Sequence, residues 1–335
     1  MSTMARALPS DERNRPYQVI TNAHEDDIHS MIPQEGGFFL TGSKDCSIKK
    51  WTSEGLTSTI LSSSRDYRCW VTTIGNLQDG NWVAGFRDGI LQMYNPDDTL
   101  LRESEYVPPR VAHKCKERNL TRINCIAQNI LNPDQFFAGS PGYVTFWDKT
   151  SEAQITCKKV CENDWVYCIN PISDKLYAVA TGANLNVWTL EDGELFHSDT
   201  LLRERLPRAK QRPFISSVVT LLEDPRLLGI ASFDSCVRII DITARRTILG
   251  TYREHRGRVW QVVNISSHII ASCADDGLVK IWDTRTAGIV STLGPHRGRA
   301  SVLLPIDETH LIVGSCPDNI RTARNKADIS FWDLR

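Results

Sequence analysis

The chain has 335 residues, 41% of them hydrophobic, and carries 39 Lys/Arg against 40 Asp/Glu for a net charge of −1. That length and apolar content suffice for a large buried core, and the near-zero charge removes any overall drive toward nucleic acid or a membrane surface. No stretch approaches the roughly 18 apolar residues of a membrane span, and the polar N-terminus lacks the apolar run of a signal peptide, so the expectation is an intracellular protein, cytoplasmic or nuclear.

Residues 1–15 are polar and read as a disordered tail ahead of a single domain over 16–335. Tyr17 to Asn22 alternates like a strand and precedes the first complete repeat. The chain then repeats one grammar, a short apolar strand, a Gly/Asp turn and a second alternating strand. TGSKDCSIKKW ends at Trp51, AGFRDGILQMY at Tyr94, AGSPGYVTFWD centres on Trp147 and ATGANLNVWT on Trp188. ASFDSCVRIID centres on Ile240, ASCADDGLVKIWDTR contains Trp282 and ADISFWDLR contains Trp332. The seven anchors lie 43, 53, 41, 52, 42 and 50 residues apart, and four of them (Trp147, Ile240, Trp282 and Trp332) precede Asp.

This phased set resembles the WD40-repeat family, whose units of about 40–45 residues each form one four-stranded propeller blade. The resemblance covers 17–335 and implies an all-β, seven-bladed propeller of four-stranded antiparallel blades. The last unit stops three residues after Trp332, so the N-terminal strand is expected to complete the seventh blade and remove the open sheet edges.

Unit 1 carries His24, Thr41, Asp45 and Trp51, and unit 6 carries His255, Ser272, Asp276 and Trp282, with the same hydroxyl-to-Asp and Asp-to-Trp spacings. The resemblance implies a buried hydrogen-bonded set in each, the carboxylate orienting the imidazole and the indole N–H reaching an acceptor. A Ser-His-Asp catalytic reading is set aside because the set recurs. Units 2–5 depart from the pattern, with Tyr94, Ala84, Gly182 and Ile240 at key positions, and are expected to rely on packing.

Extra length is concentrated in Val107 to Arg122, Arg203 to Arg212 and Cys316 to Ala327, all on loops expected on one face. With Tyr252 to Arg258 and Pro295 to Arg299 these segments hold 18 Lys/Arg against 4 Asp/Glu. With the other loops expected there the face sums to +9 and the remainder to −10. Converging guanidinium groups suit carboxylate or phosphate ligands. The expected contacts are Arg68, Arg122, Arg256, Arg258, Arg297 and Arg299, with Trp165 as an anchor; the two HRGR segments should bring Arg258 and Arg299 close together. Tyr67, Trp70 and Trp165 could stack nucleic-acid bases, but Glu25, Asp26 and Asp27 would oppose a phosphate track, so an acidic or phosphorylated protein segment fits better.

Two Trp-Asp-x-Arg motifs, ending in Arg285 and Arg335, offer an alternative. They resemble the paired motif of WD-repeat substrate receptors that dock onto adaptors of cullin-RING ubiquitin ligases. Ten cysteines, several at strand-like positions (Cys46, Cys168, Cys236, Cys273), read as free thiols rather than disulfides. Cys157 and Cys161 have no second ligand pair, so no metal and no cofactor is expected. No phosphate loop, nucleophile elbow or zincin motif is present. The expected class is a non-catalytic interaction scaffold in a multiprotein complex, not an enzyme.

Overall fold

The computed structural model describes residues 14–62, 69–106, 121–150, 154–161, 164–182, 184–203, 214–244, 246–286, 288–316 and 326–335. Among them, 28 strands form seven four-stranded antiparallel sheets. The innermost strands of blades 1 to 7 are Ile28–Pro33, Val71–Asn76, Cys125–Gln128, Val166–Pro171, Ile215–Thr220, Val259–Asn264 and Arg299–Pro305. Gln18–His24 is the outermost strand of blade 7, pairing Gln18 with Phe331 and Ile20 with Ile329. The ring is therefore closed by the N-terminal strand. Of the tail expected over 1–15, residues 1–13 lie outside the described residues.

Burial falls from the middle of each blade outward, as the residue types require. The two central strands face a neighbouring blade on both sides, so Phe39–Ser43, Trp82–Phe86 and Val279–Asp283 are buried at every position. Outer strands such as Gly55–Ser62 and Gly288–Leu293 are mostly exposed or half-buried. The apolar side chains gather into seven clusters, and each spans two adjacent blades, including one across blades 7 and 1 built around Ile28, Phe39, Val302 and Phe331. Close approach matters here: a Cβ at Gly42 would lie 2.5 Å from Val71 Cγ1 of the next blade, and one at Gly85 would lie 2.6 Å from Ile123 Cγ2.

Blade 1 holds the complete buried set. His24 Nδ1 lies 2.9 Å from Asp45, His24 Nε2 lies 2.6 Å from Thr41 Oγ1, and Trp51 Nε1 donates to the same hydroxyl at 2.7 Å. Blade 6 repeats it with His255, Asp276, Ser272 and Trp282 at 3.0, 2.8 and 2.9 Å. Burial holds His24 below its ordinary pKa, against the pull of Asp45. Burial also pushes Asp45 up, but hydrogen bonds from His24, Ser47 and the Glu25 N–H outweigh it and keep the carboxylate ionised.

The divergent blades do more than pack. In blades 3 and 7 the indole N–H turns to a hydroxyl on its own strand, Trp147 to Thr145 at 2.8 Å and Trp332 to Ser330 at 2.9 Å. In blade 5 Asp234 keeps its place, but its partner is the buried Arg238 at 2.5 Å. In blade 2 Tyr94 stacks on Trp82, with centroids 4.0 Å apart. Two cysteine placements also differ from expectation: Cys46 and Cys236 lie in turns between strands, yet both are buried.

Candidate functional site

In an antiparallel blade the connections into the innermost strand and the loop between the two central strands leave from the same end. The ends of all three long insertions therefore open onto one face, here the upper face. On that face the innermost strands share a device. The register shifts just after the first residue or two in six of the seven, between Ile28/Ser30, Val71/Thr73, Val166/Cys168, Ile215/Ser217, Val259/Gln261 and Ala300/Val302. Such a bulge re-aims the extra side chain. The residues placed this way, His29, Thr72, Tyr167, Ser216, Trp260 and Ser301, all line one central cavity, joined by Asn124 of blade 3.

That cavity has a volume of about 410 Å³ and opens at the channel mouth. Much of its polar lining is already committed to joining the blades. Thr72 donates to Ile123 O, Asn124 to Val166 O at 3.0 Å, Ser216 to Val259 O at 2.6 Å and Ser301 to Ile28 O at 3.0 Å. Gln261 accepts from Leu303 N at 2.7 Å. Just outside the cavity lining, Ser30 exchanges bonds with Ile74 and Cys168 reaches Val218 O, so each of the seven blade junctions carries a side-chain link.

Around the mouth, cations alternate with aromatic rings. Arg87 lies 4.0 Å and Lys44 4.9 Å from the Trp70 ring centroid, Arg122 lies 5.6 Å from Trp165, and Arg258 bridges Phe233 and Trp260 at 5.5 and 5.1 Å. Trp165, Tyr167, Phe214, Phe233 and Trp260 form a continuous arc over blades 4 to 6, with successive centroids 6.2, 5.5, 6.0 and 4.9 Å apart. Their planes are steeply inclined at the last two contacts, 86° and 68°, which suits packing of apolar side chains better than serial base stacking.

The expected contact residues separate into distinct states. Arg258 and Arg299 both reach the Trp260 ring, Arg299 at 5.7 Å. Each has an intramolecular carboxylate: Arg258 bonds Asp275 at 2.7 Å, and Arg299 pairs with Asp27. Glu25 and Asp26 likewise pair with Lys326 at 3.0 Å and Lys44 at 3.1 Å, so the acidic cluster neutralises cations of its own face. Arg256 and Arg297 are exposed and make no ion pair among the described residues. Arg122 lines the cavity with Trp165, and its buried Nε has no hydrogen-bond partner among the described residues. Burial and the nearby Arg87 bring its pKa down to about 10. Arg68, Tyr67 and most of the three insertions lie outside the described residues.

Sequence reasoning missed His29, Tyr167 and Trp260. The signal was present in the repeated I-H-S-M, V-Y-C-I and V-W-Q-V phrases, where apolar residues three apart bracket the channel-facing position. On the lower face Arg285 and Arg335 are exposed, each in a two-pronged hydrogen bond to the Asp two residues earlier, at 2.7–3.0 Å. Asp224 and Arg226 make the same fork in an unrelated turn.

A family model for the WD domain, G-beta repeat, matches residues 15–52 and 246–283, the two segments that contain the complete His-Asp-hydroxyl-Trp sets. This match and the seven four-stranded blades support a WD40-repeat β-propeller family. It is similar to WD repeat-containing protein 55 of Arabidopsis thaliana, 27% identical over 159 residues, which is 44% of this chain and 44% of that protein. It is also similar to Protein SPA1-RELATED 3 of Arabidopsis thaliana, 23% identical over 207 residues, covering 60% of this chain and 23% of that one. The chain thus spans less than half the length of either relative. WD40 propellers are generally non-catalytic and bind other proteins within complexes. Among the described residues no helix is long and apolar enough to cross a membrane, and no group of three or more His, Cys, Asp or Glu could hold a metal ion.

Proposed function

We propose that this WD40 propeller is a non-catalytic scaffold whose upper face binds an acidic or phosphorylated segment of another protein. The observation that carries this reading is the alternation of Lys44, Arg87, Arg122, Arg258 and Arg299 with aromatic rings around the channel mouth. A rigid ring presents these groups with little ordering cost on binding, and partly desolvated cations above aromatic rings favour anions flanked by apolar side chains. Arg256 and Arg297 extend the positive charge outward to steer an acidic partner.

The test compares partners captured by wild type and by Arg256→Glu/Arg297→Glu, with a folded-state check by circular dichroism. A set of proteins sharing acidic or phosphorylated segments should fall away from the variant; an unchanged set rejects the reading. A second reading, docking to a cullin-RING adaptor, is favoured only by the matched forks that hold Arg285 and Arg335 on adjacent blades. Arg285→Ala/Arg335→Ala should then remove an adaptor while leaving upper-face partners bound.

A further inference from the structure

The charges that line the channel cavity do not balance. Among the described residues Asp27, Arg122 and Arg299 are its charged side chains, and Asp27 is paired with Arg299. One guanidinium, that of Arg122, is left over. It is also among the few lining donors not committed to the blade junctions. Thr72, Ser216, Ser217 and Ser301 donate to backbone carbonyls, Asn124 does the same, and Trp260 Nε1 donates to Asp275 at 2.7 Å. Besides Arg122, the His29 ring and the Tyr167 hydroxyl line the cavity without a hydrogen bond to another described residue, and His29 Nδ1 is buried.

We propose that the channel mouth is a carboxylate site: Arg122 takes a single anionic group, Tyr167 and His29 donate to it, and the peptide that bears it lies along the aromatic arc. This rests on the reading of the upper face as a site for acidic segments, and narrows it. A cavity with one excess positive charge is neutralised by one carboxylate, whereas a phosphate dianion would leave a net negative charge beside Asp27. The Arg122 guanidinium lies over the Trp165 ring, 5.6 Å from its centroid, and a guanidinium binds a carboxylate in a planar, two-pronged geometry. Tyr167 is suited to donate, since burial and then Asp164 push its pKa up to about 12. His29 is held neutral by burial and then by Arg122, with Arg299 and Lys44 acting in the same direction and Asp27 opposing them. An anion on Arg122 removes the strongest of these repulsions, so binding should draw a proton onto His29 as the pH falls.

The carboxylate can come from an acidic side chain or from a chain end, and four probes separate the sources. They are an acetylated, amidated Ala-Leu-Glu-Leu-Ala, its Gln and phosphoserine counterparts, and the Gln peptide with a free C-terminus. Each is titrated against the full chain by NMR, following the His29 ring and Arg122 side-chain signals. The Glu peptide should bind at least tenfold tighter than the amidated Gln peptide and at least as tightly as the phosphoserine one. Arg122→Gln should abolish that preference, Arg122→Lys should keep part of it, and the His29 pKa should rise on binding. Equal tightening by the free C-terminus would assign the site to chain ends.

A tenfold preference that survives Arg122→Gln overturns the site. So does a phosphoserine peptide that binds tenfold tighter than the Glu peptide, although the upper face then remains a site for phosphorylated segments. If only Arg256→Gln/Arg297→Gln removes the preference, recognition lies on the rim and the channel inference fails alone. If wild type shows no preference among the four peptides, both the inference and the reading beneath it fail.

Discussion

Opposite walls of the channel mouth carry the same side chain in opposite electrostatic states. At the junction of blades 7 and 1, Arg299 is paired with Asp27; at blades 3 and 4, Arg122 is half-buried over Trp165 and has no ion pair among the described residues. Both guanidinium groups sit above an indole, so the aromatic contact does not distinguish them. The facing carboxylate does. A cation that the fold already neutralises contributes mainly to stability, whereas one left uncompensated in a cavity is costly to the folded chain and available to a ligand. Positive charge on this face therefore marks candidate contacts only after its internal partners are known.

The largest effect expected from this contrast is at the paired wall. Arg299→Gln leaves Asp27, 9% exposed, without its cation. Removing one partner of a buried pair costs about 3–5 kcal/mol, and the partial exposure of Arg299 places this loss near the lower end, about 3 kcal/mol. Urea denaturation should show that loss directly. A change under about 0.5 kcal/mol would mean that Asp27 is adequately solvated and the two walls are not different in kind.

Acid should act on the histidines between and beneath these walls. Burial lowers the pKa of His24 and His296, and burial with Arg122 lowers that of His29 to about 4. In the unfolded chain these rings take up protons near pH 6.5, while the folded ring resists, so stability falls as pH drops from about 6.5 toward 4. The slope is at most about 1.4 kcal/mol per pH unit for each such histidine. Asp45, whose pKa is depressed, adds nothing in this window and loses its contribution only below the ordinary carboxylate range. Urea midpoints at pH 7, 6 and 5 should decline for wild type and decline less for His29→Gln; parallel curves would remove His29 from the account.

How much of this was legible beforehand depends on whether a feature is local. The seven blades, the closing strand and the two His-Asp sets follow from phased residues within one repeat, because turns and strand alternation are short-range. The strands that flank the long insertions end on one face for the same topological reason. The pairing of Arg299 with Asp27 spans 272 positions in the chain and arises only when the ring closes. The pairing of Arg238 with Asp234 was hidden for another reason: an arginine four residues after the carboxylate, on a strand, reads as solvent-facing. The channel-facing bulge residues needed comparison of all seven units at one position, since no single phrase distinguishes Trp260 from a core tryptophan.

The links between innermost strands offer a smaller test of ring closure itself. Ser301 donates to Ile28 O across the junction of blades 7 and 1, and Ser216 donates to Val259 O within the continuous chain. Each alanine substitution should cost about 1 kcal/mol, the usual net value of such a bond. The two should differ in kinetics. If the closing junction opens first, Ser301→Ala speeds unfolding more than Ser216→Ala does at equal loss of stability. Equal unfolding rates would show that the closing junction is no weaker than its neighbours.

The smallest effect, and the one with the opposite sign, belongs to Arg122→Gln. The substitution keeps a polar side chain of similar reach and removes a charge that burial and Arg87 both disfavour, the same causes that bring the Arg122 pKa down to about 10. It should leave stability unchanged or raise it by up to about 1 kcal/mol, because desolvation of an uncompensated ion is relieved while the contact with Trp165 is partly lost. Measured beside Arg299→Gln under the same conditions, it turns the comparison into a difference of sign. A loss of 2 kcal/mol or more, by the order of a broken buried pair, would show that Arg122 holds blades 3 and 4 together as Arg299 holds 7 and 1, and that its charge is structural rather than reserved for a ligand.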